Sequence, residues 1–280
     1  MNEKWDIIVT PKRKWYELNL KEVYRYRDLT WLFVKRSFNS QYKQTILGPL
    51  WFIINPLITT LISTLVFGNI AGIGSDGVPY FLFYLVGYTL WNYFSTCVST
   101  TSTTFTANAA IMGKVYFPRL TMPISSVLFA AVNMLVIFCM SIVAIIVYSL
   151  TGTDININIY CLFIPVLMIQ TAVLGLGVGV IISSLTTKYR DLAILVSFGL
   201  NLWMYITPVV YPISEVPDWL RPIILINPMS AIVQNYKYAL LGIGTFEIGY
   251  WMISIAVTVV MFFASVMLFN KVEKTFMDTV

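Results

Sequence analysis

Histidine is absent from this chain, cysteine occurs three times, and charged residues make up only 11% of its 280 positions. Without histidine there is no Ser-His-Asp triad, no imidazole acid–base catalyst and no His-ligated metal. Cys97, Cys139 and Cys161 have no metal-ligand spacing, and an odd count argues against a disulfide framework. All three fall in or at apolar runs and read as small buried hydrophobes. A soluble domain carries roughly 25% charged residues. A chain with 11% charged and 58% hydrophobic residues is therefore a membrane protein.

The missing charge is unevenly distributed. Six stretches, 44–75, 77–113, 120–153, 155–187, 192–214 and 248–270, contain no Asp, Glu, Lys or Arg. Each exceeds the roughly 20 residues that span hydrocarbon as a helix. The expected fold is thus an all-α integral membrane protein with six transmembrane helices, at 50–71, 80–104, 124–149, 160–182, 192–211 and 248–270. None of these runs shows the polar–apolar alternation of a barrel strand. Residues 1–28 form a polar segment without the apolar core or small-residue cleavage site of a secretory signal, so the first span is expected to act as the insertion signal.

Orientation follows from the basic residues. With both termini in the cytoplasm, sixteen of the eighteen Lys and Arg lie inside, and only Arg221 and Lys237 fall outside. Asp76, Asp154, Glu215, Asp218 and Glu247 occupy the external connections. The formal net charge of +5 therefore reports topology. No long soluble basic surface exists, so nucleic acid is not an expected partner.

The most informative stretch is 28–56, DLTWLFVKRSFNSQYKQTILGPLWFIINP. Its first half, 29–48, reads as an amphipathic interfacial helix. At about 100° per residue, Trp31, Val34, Phe38, Tyr42 and Thr45 share one side, while Arg36, Asn39 and Lys43 form a stripe on another. Leu32 and Phe33 spoil the separation. Such a helix can lie in the headgroup layer with its basic face toward phosphates, or serve only as an anchor. Gly48-Pro49 breaks it, because proline disfavours a helical residue before it and suits a first turn. Pro56 is expected to kink the first span or free a carbonyl.

In the second span Tyr80, Tyr84, Tyr88 and Trp91 recur on one face over about 16 Å, and Ser95, Ser99 and Ser102 continue it. Such a face can stack on sugar rings and exchange hydrogen bonds with hydroxyls, or simply pack against neighbouring helices. The loop 108–119, with Asn108, Met112, Lys114 and Tyr116, is a docking point or a connector. Gly175-Leu176-Gly177-Val178-Gly179 lies in an apolar span and reads as a site of close helix approach. Residues 213–247 are apolar but split by Pro217, Pro222 and Pro228, so they cannot form one straight span. Asn227-Pro228 reads as a cap before a second helix through Leu241. A re-entrant helical hairpin over 215–241, dipping into the outer leaflet, would satisfy its backbone internally.

Taken together, YKQTILGPLW at 42–51, KVYFPR at 114–119, TKYRDL at 187–192, TPVVYP at 207–212 and NPMSAIVQNYKYALLG at 227–242 resemble the membrane (permease) subunit of ABC-2 type polysaccharide exporters, the group serving O-antigen, capsule and teichoic acid. The resemblance covers nearly the whole chain. It implies a homodimer of this chain, paired with two copies of a separate ABC nucleotide-binding subunit, in the bacterial inner (cytoplasmic) membrane. The chain itself has no GxxxxGK[ST] phosphate loop. ATP and Mg are expected on the partner subunit, with no cofactor, metal or catalytic residue in this chain. The implied cargo is an undecaprenyl-type lipid-linked polysaccharide. By resemblance, Arg36, Asn39 and Lys43 on the 29–48 helix form a cytoplasmic gate that meets the lipid pyrophosphate. Tyr80, Tyr84, Tyr88, Trp91, Ser95, Ser99 and Ser102 line the channel. Asn108, Met112, Lys114 and Tyr116 couple to the ATPase, and Pro217, Trp219 and Pro228 belong to an external gate.

Three alternatives remain open at this stage. An ABC-2 exporter of a small drug or lipid shares the architecture. A secondary transporter usually holds ionisable residues within its spans, and these spans hold none. A membrane-embedded glycosyltransferase would need acid–base carboxylates, and the nearest, Asp191, lies at a cytoplasmic edge.

Overall fold

A computed structural model of the chain describes residues 20–43, 45–108, 111, 117–186 and 191–279. Among these, regular structure is helical throughout, with no strand. A short helix α1 (Leu20–Arg25) turns at Tyr26 into α2 (Arg27–Tyr42). The helix ends there, several residues before the expected limit at 48. Gly48 has a φ of +52°, a value that favours glycine, and Pro49 opens a short 3₁₀ turn leading directly into α3 (Trp51–Ser63). Helix α3 runs unbroken through Pro56, whose carbonyl accepts from Thr60 Oγ1 at 2.7 Å. It then widens into π-type turns over Thr64–Ile70.

The chain continues through α4 (Tyr80–Ser102), α5 (Thr104–Ala107), α6 (Thr121–Leu150) and α7 (Ile164–Thr186), the last preceded by a 3₁₀ turn at Ile159–Phe163. Helix α8 (Leu192–Ile206) is followed by the hairpin helices α9 (Arg221–Ile226) and α10 (Pro228–Leu241), and α11 (Ile248–Thr279) closes the fold. Four segments are long and apolar enough to cross a membrane: Gly48–Ile70, Thr121–Leu150, Ile159–Thr186 and Ile248–Lys271. The two other expected spans coincide with α4 and α8, which do not meet that measure among the described residues. Helix α8 has only 15 residues. Helix α4 is long enough, but it carries many hydroxyls.

The reason for the composition of α4 lies in its position. It packs between α6, α7 and α10, and sixteen of its 23 residues are buried by the chain itself. A helix walled in by protein need not be soluble in lipid, so it can hold Ser, Thr and Asn where partners exist. Thr89 Oγ1 lies 3.2 Å from Ser141 Oγ of α6, and Asn133 Nδ2 of α6 donates to Asn92 Oδ1 at 3.2 Å. The glycines of α7 bring it close to α4, as their spacing predicts. A Cβ at Gly175 would lie 2.7 Å from Cys97 Cβ, and one at Gly179 would lie 2.6 Å from Thr101 Cβ. On the opposite side Gln170 of α7 bonds α11, donating to Ser254 Oγ at 2.8 Å and accepting from Trp251 Nε1 at 2.8 Å.

Only Cys97 is fully buried, and Cys139 is exposed on the outside of the bundle. Cys161 is half-buried and points Sγ at the Ala239 carbonyl. The expectation of three buried cysteines thus holds for one of them.

Candidate functional site

The basic stripe of α2 forms a surface groove. Leu32, Lys35, Arg36, Asn39, Ser40 and Lys43 line an open depression of about 650 Å³. These positions share one helical face, since residues three, four and seven apart stack along a helix. Arg36, Asn39 and Lys43 are therefore brought together, as the wheel predicts. Lys35 belongs with them and was missed. Its place about 40° from Asn39 on the same wheel was the available signal. Among the described residues no carboxylate lines the groove, and the three cations Lys35, Arg36 and Lys43 face one space.

What holds α2 in place is an inward face that keeps Val34 and Tyr42 of the predicted one but is rotated toward Thr30 and Phe33. Thr30, Phe33, Val34 and Tyr42 are buried, whereas Trp31 is 56% exposed. Two neighbours set this rotation. Phe33 packs on Phe117, ring centres 5.7 Å apart, in a cluster that includes Met122 and Phe269. At the other end Tyr42 lies 4.6 Å from Phe52 of α3, and Phe52 lies 6.3 Å from Phe129 of α6. Burial pushes the Tyr42 phenol above its ordinary pKa, so it stays a neutral hydroxyl in this aromatic joint.

Of the coupling residues, Asn108 caps the end of α5, its Nδ2 donating to the Thr104 carbonyl at 2.9 Å. Met112, Lys114 and Tyr116 lie outside the described residues. The end of their loop is described, and there Phe117 is buried against α2.

The tyrosine–serine face of α4 is mostly covered by the chain itself. Tyr80, Tyr84, Trp91 and Ser102 are buried. Tyr80 OH donates to the Val210 carbonyl, Trp91 packs on Phe94, and Ser102 Oγ donates to the Ser99 carbonyl. For these four, helix packing accounts for the pattern. Tyr88 and Ser95 are half-buried and Ser99 is exposed.

The end of the bundle that carries 213–247 is tied together by further side-chain bonds. Gly74 N–H donates to Glu215 Oε1 at 2.9 Å, and Ser214 Oγ donates to Asp76 Oδ1 at 2.6 Å. Asn227 caps α10 as predicted, accepting from the Met229 N–H at 3.2 Å. The same side chain accepts from Trp203 Nε1 of α8 at 3.0 Å and donates to Thr207 Oγ1 at 3.0 Å. Pro228 accepts from Ser254 Oγ of α11 at 2.8 Å. Pro217 is exposed, and Trp219 is 74% exposed. Lys237, one of the two cations outside the positive-inside pattern, is only 1% exposed. Its Nζ donates to the carbonyls of Pro208 and Val209 at 2.8 and 3.1 Å. Its violation of the charge rule was the sequence signal that it has a specific partner.

Among the described residues no group of acidic, cysteine or histidine side chains could hold a metal. The arrangement is that of a membrane protein with a cationic groove at one end and a cross-bonded hairpin at the other. An O-antigen export system permease protein RfbA from Klebsiella pneumoniae is 27% identical over 251 residues, covering 90% of this chain and 94% of that protein. A protein of the same name from Myxococcus xanthus is 29% identical over 220 residues, covering 78% of this chain and 82% of that protein. The family model for ABC-2 type transporters matches residues 28–241, from the start of α2 to the end of α10, and the chain therefore belongs to the ABC-2 type transporter family of membrane proteins.

Proposed function

We propose that this chain is the transmembrane subunit of an ATP-driven exporter that moves a lipid-linked polysaccharide across the bacterial inner membrane. The relatives named as O-antigen export permeases support the cargo class. The observation that carries the mechanism is the groove on α2, with Lys35, Arg36, Asn39 and Lys43 on one side and Phe33 packed on Phe117 on the other. The groove takes the pyrophosphate of an undecaprenyl-type carrier. Arg36 grips oxygens as a bidentate fork, and the lysines add point charges.

In this reading the chain crosses the membrane six times, with α4 and α8 as its second and fifth spans and both termini in the cytoplasm. The segment 215–241 is a re-entrant hairpin that forms the external gate. Its two ends bond to loops 72–79 and 151–158, each a connection between successive helices, which favours both ends lying on one side. Two copies of the chain pair with two copies of a separate ABC subunit, which holds ATP and Mg. Hydrolysis there drives the loop at 108–117. Phe117 passes the push to Phe33, and α2 tilts on the Tyr42–Phe52 joint and the Gly48 turn. The polymer then slides past Tyr88, Ser95 and Ser99. No bond in the cargo is made or broken by this chain. An open cationic groove suits an anionic headgroup better than it suits an apolar drug.

The test is export of lipid-linked polymer by correctly inserted protein paired with its ATPase. Arg36→Ala with Lys43→Ala is expected to abolish export without loss of insertion. Normal export by that double variant would overturn the pyrophosphate site. If Arg36→Lys is silent while the double alanine variant fails, charge alone suffices and the bidentate grip is wrong.

A further inference from the structure

Behind the groove lies a second space of different chemistry. A cavity of about 390 Å³ separates α2 from the ends of α4 and α5 and the start of α6. Its volume sits at the low end of small-molecule sites. From α2 it is lined by Arg36, Ser37, Ser40 and Gln41. Across from them stand Thr100, Thr104, Ser125 and Ser126, with Asn108 at the rim. Phe33 and Phe129 supply the aromatic walls. Arg36 and Ser40 line the groove as well, so the two spaces meet at those residues.

The hydrogen-bonding state of the lining decides what the cavity can hold. Thr100 donates its hydroxyl proton to the Thr96 carbonyl at 2.7 Å, Thr104 of α5 donates to the Thr100 carbonyl of α4 at 2.8 Å, and Ser125 donates to the Met122 carbonyl at 2.7 Å. Their oxygens keep lone pairs that can accept. The amides of Gln41 and Asn108 and the Arg36 guanidinium supply donors. Among the described residues no carboxylate lines the cavity, and Arg36 is the one charged side chain in its lining. An apolar acyl chain would leave these groups unpaired, at a cost for each buried one. A second anion would find one cation where the outer groove offers three. A neutral ring with several hydroxyls matches both the donors and the acceptors, and the phenyl walls suit its C–H faces.

We infer that this cavity binds the first sugar ring of the cargo, the neutral hexose unit joined directly to the pyrophosphate held in the groove. The inference rests on the pyrophosphate reading above and adds a recognition element to it. The linkage geometry fits: the ring lies one bond beyond the phosphate, and the cavity lies one side chain beyond the groove. The site then reads the common end of every chain, whatever polymer follows.

The probes are two synthetic lipids, a polyprenyl pyrophosphate and the same lipid bearing a single neutral hexose. Each is titrated against the chain assembled with its ATPase in lipid nanodiscs. The hexose is expected to tighten binding about tenfold, the worth of one or two net hydrogen bonds. Ser126→Leu fills the cavity and is expected to erase that advantage while bare-lipid affinity stays at the wild-type value. Gln41→Leu, at an exposed position on α2 where folding is not at risk, is expected to cut the advantage about threefold. Equal wild-type affinity for the two lipids overturns the sugar site while leaving the pyrophosphate groove standing. So does a full advantage retained by both variants. Absence of binding by either lipid overturns the groove and the sugar site together.

Discussion

Lys237 of α10 sets its Nζ 3.3 Å from the centre of the Phe83 ring of α4. One turn along α4, Gly87 leaves the room for it, since a Cβ there would lie 2.5 Å from Lys237 Cε. With Nζ also donating to Pro208 and Val209, one side chain joins α4, the hairpin and the turn after α8. Lys237→Met keeps the stem but orphans two carbonyls. The turn is then expected to swing toward water, with a loss of about 2 kcal/mol in unfolding free energy. Gly87→Ala reaches the same end by displacing Cε. A cysteine at Val209, fully buried in the parent chain, reports the movement. It should react with an impermeant thiol reagent only in the Lys237→Met background. Continued protection would show that Lys237 does not hold the turn.

The hairpin gives a topological prediction. If it is re-entrant, its two flanks face the same side. Cysteines at Pro217 and Thr245 should both be labelled from outside intact cells. Thr245 is the better second position, because Gly244 has a φ of +73° and any side chain there would be strained. Labelling of either one only after the cytoplasm is opened would mean that the segment crosses the membrane.

Coupling is expected to run through the Phe33–Phe117 contact. Phe117→Ala removes one ring of that pair and should lower cargo-stimulated ATP turnover several-fold while assembly with the ATPase persists. Lys114→Ala with Tyr116→Ala should weaken the docking itself. Full stimulation in both variants would place the transmission path elsewhere.

The close approach of α7 to α4 can be tested by stability alone. Gly179→Leu forces a Cβ to within 2.6 Å of Thr101 Cβ and is expected to cost about 1–3 kcal/mol. Gly249→Ala meets nothing within 4 Å and should change stability by less than about 0.5 kcal/mol. Thermal unfolding in detergent distinguishes them, and equal midpoints would remove the case for tight packing at Gly179.

Features set by local backbone chemistry were legible before the fold was known. The Gly48-Pro49 turn into α3, the Asn227 cap and the α7 glycines all follow from what one or two residues can do with their own backbone, whereas the end of α2 at Tyr42 did not. The face of α4 was not legible in the same way. Tyr80, Tyr84 and Trp91 recur at helical spacing whether that face meets a channel or other segments of the chain, as Tyr80 meets Gly68 and Val210. Likewise Trp31 and Phe33 both look apolar, and only the positions of Phe117 and Phe52 decide which of them turns inward.

The sequence by itself determined the solvent, the helices and the cationic stripe, because hydropathy, periodicity and charge are properties of consecutive residues. Tertiary structure alone decided that Lys237 meets Pro208 and Val209, that Arg36 borders the hydroxyls of α4 and α6, and that most of the aromatic face of α4 lies within the bundle. Those pairings join residues many positions apart. A helical pattern defines a stripe in the frame of its own helix, and only packing against distant segments determines what that stripe will face.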